Sequence, residues 1–99
     1  MIFEIAEIEV AEGSQAAFEA AVSEALPLFR EAAGCRSMKL ERGIESPTRY
    51  LLVVCWDTVE DHMVGFRESA AFQQWRALAG PHFAAPPRVQ HVETVVAGF

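Results

Sequence analysis

The stretch Arg49-Tyr50-Leu51-Leu52-Val53-Val54-Cys55-Trp56 (RYLLVVCW, residues 49–56) is apolar on both of its alternating sides once past Arg49. A strand with one wet face alternates polar and apolar residues; one without a polar side is covered on both faces and takes a central place in its sheet. Ahead of it, Ile44-Glu45-Ser46-Pro47-Thr48 is turn chemistry, with Pro47 fixing φ. Ahead of that turn, Cys35 to Gly43 reads as a hairpin partner, with Met38 and Leu40 on one side and Lys39 and Glu41 on the other. Two further strands are expected: Ile2 to Val10 (IFEIAEIEV), which interleaves apolar and acidic residues, and Val89 to Val96, reached through the stiff Pro86-Pro87 connection.

Helices fill the intervals. Ser14 is placed to cap a helix whose stripe Phe18, Val22, Ala25, Phe29 runs to about Ala33, with Gly34 as the residue that ends it. Pro27 removes the bond to the carbonyl of Ser23, so a kink or bulge is expected, yet the stripe continues through it. Asp57 or Thr58 caps a second helix, with Glu60 and Asp61 placed to reach back or complement the dipole. In that helix Val59, His62, Met63 and Phe66 fall at i, i+3, i+4 and i+7 and share one face. Ser69 can cap a third helix, striped by Phe72, Trp75, Leu78 and Ala79 and stopped at Gly80-Pro81.

The order β-α-β-β-α-α-β, with short connections and right-handed crossovers, predicts an α+β fold. It is a ferredoxin-like antiparallel sheet with helices on one face, in a single domain over residues 1–99. Strands one and three are then central, in agreement with the two-sided apolar character of residues 49–56. The helices cover one face only. A second copy of the sheet is the simplest cover for the other, which predicts a homodimer enclosing a space between subunits. Its interface should exceed roughly 1,200 Å² in total.

Composition supports an extra buried surface. The chain has 99 residues, of which 52% are hydrophobic and only 22% charged, a high apolar share for so small an interior. A net charge of −6 without any cluster of Lys or Arg speaks against nucleic acid and anionic membranes as partners. The longest apolar run, Leu51 to Trp56, is too short to span a bilayer, and Met1-Ile2-Phe3-Glu4 has no basic prelude to a signal peptide. The expectation is a soluble cytoplasmic protein. Cys35 and Cys55 match neither a disulfide framework nor a metal spacing and read as buried reduced thiols.

The first strand EIAEIEV, the third strand LLVVCW and the helix pair EDHMVGFRESAAFQQW together resemble the antibiotic biosynthesis monooxygenase family, of the dimeric α+β-barrel superfamily, over nearly the whole chain. The resemblance implies a barrel-like dimer and no cofactor. Activities in the family include oxygenation of polyphenols, quinol oxidation, haem breakdown and isomerisation, so the fold alone does not choose. The haem-degrading branch relies on an asparagine of the first strand. This chain contains no asparagine, its matching stretch reads Ala6-Glu7-Ile8, and Trp75 or Arg76 stands where that branch has its axial histidine. Haem degradation is not expected. In quinol-type members a histidine lies on the helix after strand three; the aligned position is Phe66, and His62 is one turn earlier on the same face.

His62 is therefore the candidate base, with a core role as the competing reading. Cofactor-free oxygenation needs a base for a phenolic or enolic proton, a dry aromatic cavity, and a donor to steady the anion. Imidazole suits the first task because its ordinary pKa is about 6.5. Trp56, Phe66, Phe72 and Trp75 are the candidate aromatic walls, Tyr50 the candidate donor to an oxyanion, Arg67 a cation that could bind an acidic substrate group or pair with the acidic surface, and His91 a further candidate contact. Arg76 offers a second cation, and His82 sits in a loop more suited to solvent. No histidine spacing supports a metal site, and no phosphate loop, nucleophile elbow or dinucleotide fingerprint occurs. Two functions remain open. One is a cofactor-independent monooxygenase acting on a small quinol, polyphenol or other enolisable aromatic; the other is a non-catalytic dimeric barrel that binds a small apolar ligand.

Overall fold

The computed structural model describes residues 1–99. Strands β1 (Ile2–Glu9), β2 (Cys35–Arg42), β3 (Arg49–Trp56) and β4 (Arg88–Val92) form one antiparallel sheet in the order β2-β3-β1-β4. Helix α1 (Gln15–Arg30), a π-helical segment (Asp61–Phe66) and helix α2 (Ala70–Ala79) pack on one face. The ferredoxin-like α+β reading holds, with β1 and β3 central, and the sheet is not closed on itself. No helix is long and apolar enough to cross a membrane.

The parity of the two central strands sets the core. Ala6 and Ile8 of β1, Val10 just beyond it, and Tyr50, Leu52, Val54 and Trp56 of β3 are all buried under the helices. The α1 stripe Phe18, Val22, Ala25, Phe29 is buried against them, and aromatic edges lock the layers together. Phe18 meets Tyr50 with ring centroids 4.9 Å apart, and Phe29 meets Trp75 at 5.2 Å, both edge to face.

The opposite parity faces away from the helices. Leu51 and Val92 remain 38% and 42% exposed there, and Phe3, Ile5 and Val53 are half-buried. The β3 side that reads as covered is thus open in the single chain. Its apolar centre is rimmed by ion pairs, Lys39–Glu41, Arg49–Glu9 and Arg88–Glu7.

Several boundaries differ from expectation. Helix α1 runs unbroken through Pro27, whose carbonyl still accepts from the Glu31 amide at 3.1 Å, but it ends at Arg30 rather than near Ala33. Two tight turns follow, Ala32 N–H to the Phe29 carbonyl and Cys35 N–H to the Ala32 carbonyl, and swing the chain into β2. Ser14 stands at the N-cap without a side-chain bond, whereas Thr58 Oγ1 accepts from the Asp61 amide and Ser69 Oγ from the Phe72 amide. Strand β4 stops at Val92 instead of Val96. Val92 pairs with Phe3, so the chain beyond it has almost no β1 left to bond, and Val95 and Val96 lie exposed. Cys55 is buried but Cys35 is only half-buried, because β2 is the edge strand.

The largest departure is the second helix. The stretch around His62 winds as a π-helix, with the Arg67 amide bonded to the His62 carbonyl five residues back. The wider turn brings His62 and Phe66 onto the buried face and leaves Val59 41% exposed and Met63 half-buried, so the expected four-residue face does not form.

Gly34 fixes where this segment sits. Its φ is +82°, its carbonyl accepts from the Asp57 amide, and a Cβ would collide with the Asp61 side chain. Gly34→Ala should therefore destabilise by more than the ~1–2 kcal/mol of a left-handed alanine. Gly13→Ala, at φ +88° with open space, is the control that carries the backbone cost alone. Equal losses for both variants in urea unfolding would contradict the packing account.

Candidate functional site

Helix α1 packs over β2 and against α2, so the β1–β4 half of the sheet is roofed by α2 and by the loop that leads into β4. The small Ala6 leaves space beneath that roof. The result is a cavity of about 720 Å³, large enough for a multi-ring aromatic molecule. Ala6, Ile8 and Leu52 form its floor, Phe72 and Trp75 one wall, and Phe83 to Pro87 with Val89 the other. It lies on the helix side of the sheet, whereas the sequence pointed to a space between subunits.

Two ionisable groups face each other at one end. Glu4 is only 5% exposed and His62 4%. Both line the cavity, and His62 Nε2 lies 3.2 Å from Glu4 Oε1. The indole N–H of Trp56 donates to the same oxygen at 3.0 Å. Glu4 Oε2 has no protein partner, and no deeply buried side-chain oxygen or nitrogen lacks one, so Oε2 is reached from the cavity. On the other side of the ring, His62 Nδ1 is 2.8 Å from His91 Nε2, since Glu4 and His91 are directly paired across β1 and β4.

Burial pushes the Glu4 carboxyl up from 4.5 to about 7, against the opposing pull of the Trp56 hydrogen bond and the Arg67 charge. The same burial, with His91 and Arg67 adding repulsion, holds His62 down from 6.5 to about 4. At neutral pH the imidazole is therefore uncharged and Glu4 sits near its midpoint. A strong permanent ion pair, which the short distance alone suggests, does not form.

The remaining candidates divide. Arg67, Phe72 and Trp75 line the cavity, as does Arg76; Arg67 lies over the Phe72 ring at 6.0 Å from its centroid. Neither guanidinium has a carboxylate within ion-pair distance. Trp56 and Phe66 stand behind the cavity wall. Trp56 stacks on the His62 ring at 5.4 Å and 19°, and Phe66 packs on Trp56 at 5.5 Å. Tyr50 is not brought to the cavity: its hydroxyl donates to Glu19 Oε2 at 2.6 Å near the α1 side of the sheet. His91 touches the site through His62, and with β4 ending at Val92 it shares a strand face with Val89 only, not with Glu93 or Val95. No group of three or more His, Cys, Asp or Glu side chains is arranged so that it could hold a metal ion.

Glu4 is the residue that sequence reasoning passed over. Its signal was parity. Ala6 and Ile8 mark the even positions of β1 as the buried side, which puts Glu7 and Glu9 outside and Glu4 inside.

Comparison with known proteins agrees with this architecture. Residues 1–78 match the family model described as antibiotic biosynthesis monooxygenase. The chain is 36% identical over 95 residues to the uncharacterized protein YczJ of Bacillus subtilis (strain 168), covering 96% of this chain and all of that one. It superposes with a TM-score of 0.95 on the crystal structure of a candidate antibiotic biosynthesis monooxygenase from Bordetella bronchiseptica, at 55% identity over 96% of this chain and 97% of the other. A further candidate monooxygenase, from Nitrosomonas europaea, shares the fold at a TM-score of 0.82 and 20% identity, over 97% of this chain and all of that one.

Proposed function

This chain belongs to the antibiotic biosynthesis monooxygenase family, and from that premise we propose that it is a cofactor-independent monooxygenase of a small enolisable aromatic, with Glu4 as its base. The observation that carries the reading is a buried carboxyl with a pKa of about 7 and one free oxygen facing an aromatic-walled cavity. A general base works best when its pKa is near the working pH, and Glu4 meets that condition. His62 does not. Its ring nitrogens face Glu4 and His91, and at a pKa of about 4 it is too weak a base for a phenol.

The chemistry balances without a cofactor. Glu4 takes the phenolic or enolic proton, and the resulting anion passes an electron to dioxygen. Recombination forms a carbon–oxygen bond to give a peroxide at that carbon. Loss of the carbon-bound hydrogen and cleavage of the O–O bond leave a carbonyl and release water. A CH₂ or aromatic C–H flanked by the enol or phenol thus becomes a quinone-type carbonyl, and one O₂ supplies both the new oxygen and the water. Arg67, at the cavity edge, favours the anion, as it favours the charged form of Glu4. Oxygen uptake across a panel of quinols, anthrone-like and phenolic compounds, with neither flavin nor metal added, tests the reading. Tight binding of such compounds without uptake would favour the ligand-binding alternative.

The working unit we propose is a homodimer through the open sheet face, whose apolar centre and ion-paired rim have the anatomy of a protein interface. Sedimentation at micromolar concentration should give a dimer, and Leu51→Glu should shift it towards monomer. A wild-type monomer would overturn this part.

A further inference from the structure

We infer that Glu4, His62 and His91 form a proton relay that connects the cavity to solvent, so that the two histidines exchange tautomers together whenever Glu4 changes charge. The inference rests on the reading of Glu4 as the base and adds the path by which its proton leaves.

The geometry leaves each group two consistent states. His62 Nδ1 and His91 Nε2 are 2.8 Å apart, and one must donate while the other accepts. With Glu4 protonated, its O–H donates to His62 Nε2, His62 Nδ1–H donates to His91 Nε2, and His91 carries its own proton on Nδ1. With Glu4 ionised, every bond reverses: His91 Nε2–H donates to His62 Nδ1, and His62 Nε2–H turns to Glu4 Oε1. Passing between the two states moves the Glu4 proton to His62 Nε2, the Nδ1 proton to His91 Nε2, and the His91 Nδ1 proton to water. Neither histidine needs to hold a net charge at either end, which suits a ring as deeply buried as His62.

The path also has an exit. His91 is half-buried on the edge strand β4, and its Nδ1 has no protein partner while no deeply buried polar atom is orphaned. A base enclosed with an apolar substrate cannot return its proton through the cavity while that cavity is filled. The relay leads away behind it. Trp56, stacked on the His62 ring, holds the imidazole plane in line with both partners. The other charged groups near Glu4 are the Arg67 and Arg76 guanidinium groups at the cavity edge, and burial together with Glu4 raises the Cys35 thiol, keeping it neutral.

Nitrogen-15 NMR of the imidazole rings reads the tautomers directly and needs no substrate. On titration of the wild-type protein from pH 9 to pH 6, the His62 proton should pass from Nε2 to Nδ1 with the same midpoint as the Glu4 carboxyl carbon. The proton on His91 Nε2 should disappear in step. In Glu4→Gln, which keeps the shape and cannot ionise, His62 should keep one tautomer throughout. A His62 tautomer that stays constant while Glu4 titrates, or that switches equally in Glu4→Gln, would overturn the relay. Oxygen uptake is a separate readout: its persistence in Glu4→Gln would instead remove Glu4 as the base.

Discussion

Glu4→Gln should lower oxygen-consuming turnover by a factor on the order of 10² to 10⁴, the usual contribution of a positioned general base. The same substitution should make the protein more stable at alkaline pH, and the two effects together separate catalysis from folding. A carboxyl whose folded pKa is raised contributes stability at low pH and loses it as pH rises through the folded value. For Glu4 that loss runs from about 4.5 to about 7. His62, whose folded value is lowered, works the other way: its contribution is present above 6.5 and is lost as pH falls to about 4. Between these limits the folded chain carries one proton on Glu4 and the unfolded chain one on the imidazole. Wild-type stability should therefore be nearly flat from about pH 4.5 to 6.5 as far as this pair is concerned. Glu4→Gln removes one side of the balance. Its stability should match wild type near pH 4.5 and exceed it by about 2–4 kcal/mol at pH 8, from ~1.4 kcal/mol per pKa unit. Urea unfolding at the two pH values, beside oxygen uptake, checks both halves. An inactive variant that is also less stable at pH 8 would mean that the carboxyl is structural.

Trp56→Ala should produce the largest loss of stability of any single change, about 3–5 kcal/mol for removing a fully buried indole. It packs on His62 and Phe66, and its N–H donates to Glu4 Oε1, which favours the charged form of Glu4. Loss of that donor should move the Glu4 pKa further up. Trp56→Phe separates the parts: it keeps most of the ring and should recover most of the stability, but the Glu4 midpoint should stay high. A melt of Trp56→Ala within a few degrees of wild type, or a Glu4 midpoint unchanged in Trp56→Phe, would contradict the account.

Much of this arrangement was legible in residues 49–56 and in the spacing of α1. A strand apolar on both sides has to be central, and its neighbours then have few places to go, which is why the sheet order and β3 boundaries agree with the sequence. Periodicity carried less where the chain left the standard helix. Nothing in the composition of Asp61–Phe66 marks a π turn, since the extra residue is accommodated by tertiary packing against Phe29 and Trp56 rather than by local propensity. The face drawn at α-helical spacing therefore included Val59, which is exposed. The end of β4 depended on register with Phe3, a long-range fact that Val95 and Val96 could not announce. The site was half visible. His62 was singled out because a polar ring on an apolar face stands out, whereas Glu4 sat among other acidic residues on β1. Only the parity set by Ala6 and Ile8 distinguishes it from Glu7 and Glu9.

Glu4 is a buried carboxyl poised near neutrality beside a cavity it can serve. Carbon-13 NMR of the Glu4 side-chain carboxyl across pH 3 to 9 tests it without a substrate. A midpoint of about 7 is the predicted result. A Glu4 midpoint near 4.5 would mean that water reaches the carboxyl freely, and the account of the site would fail.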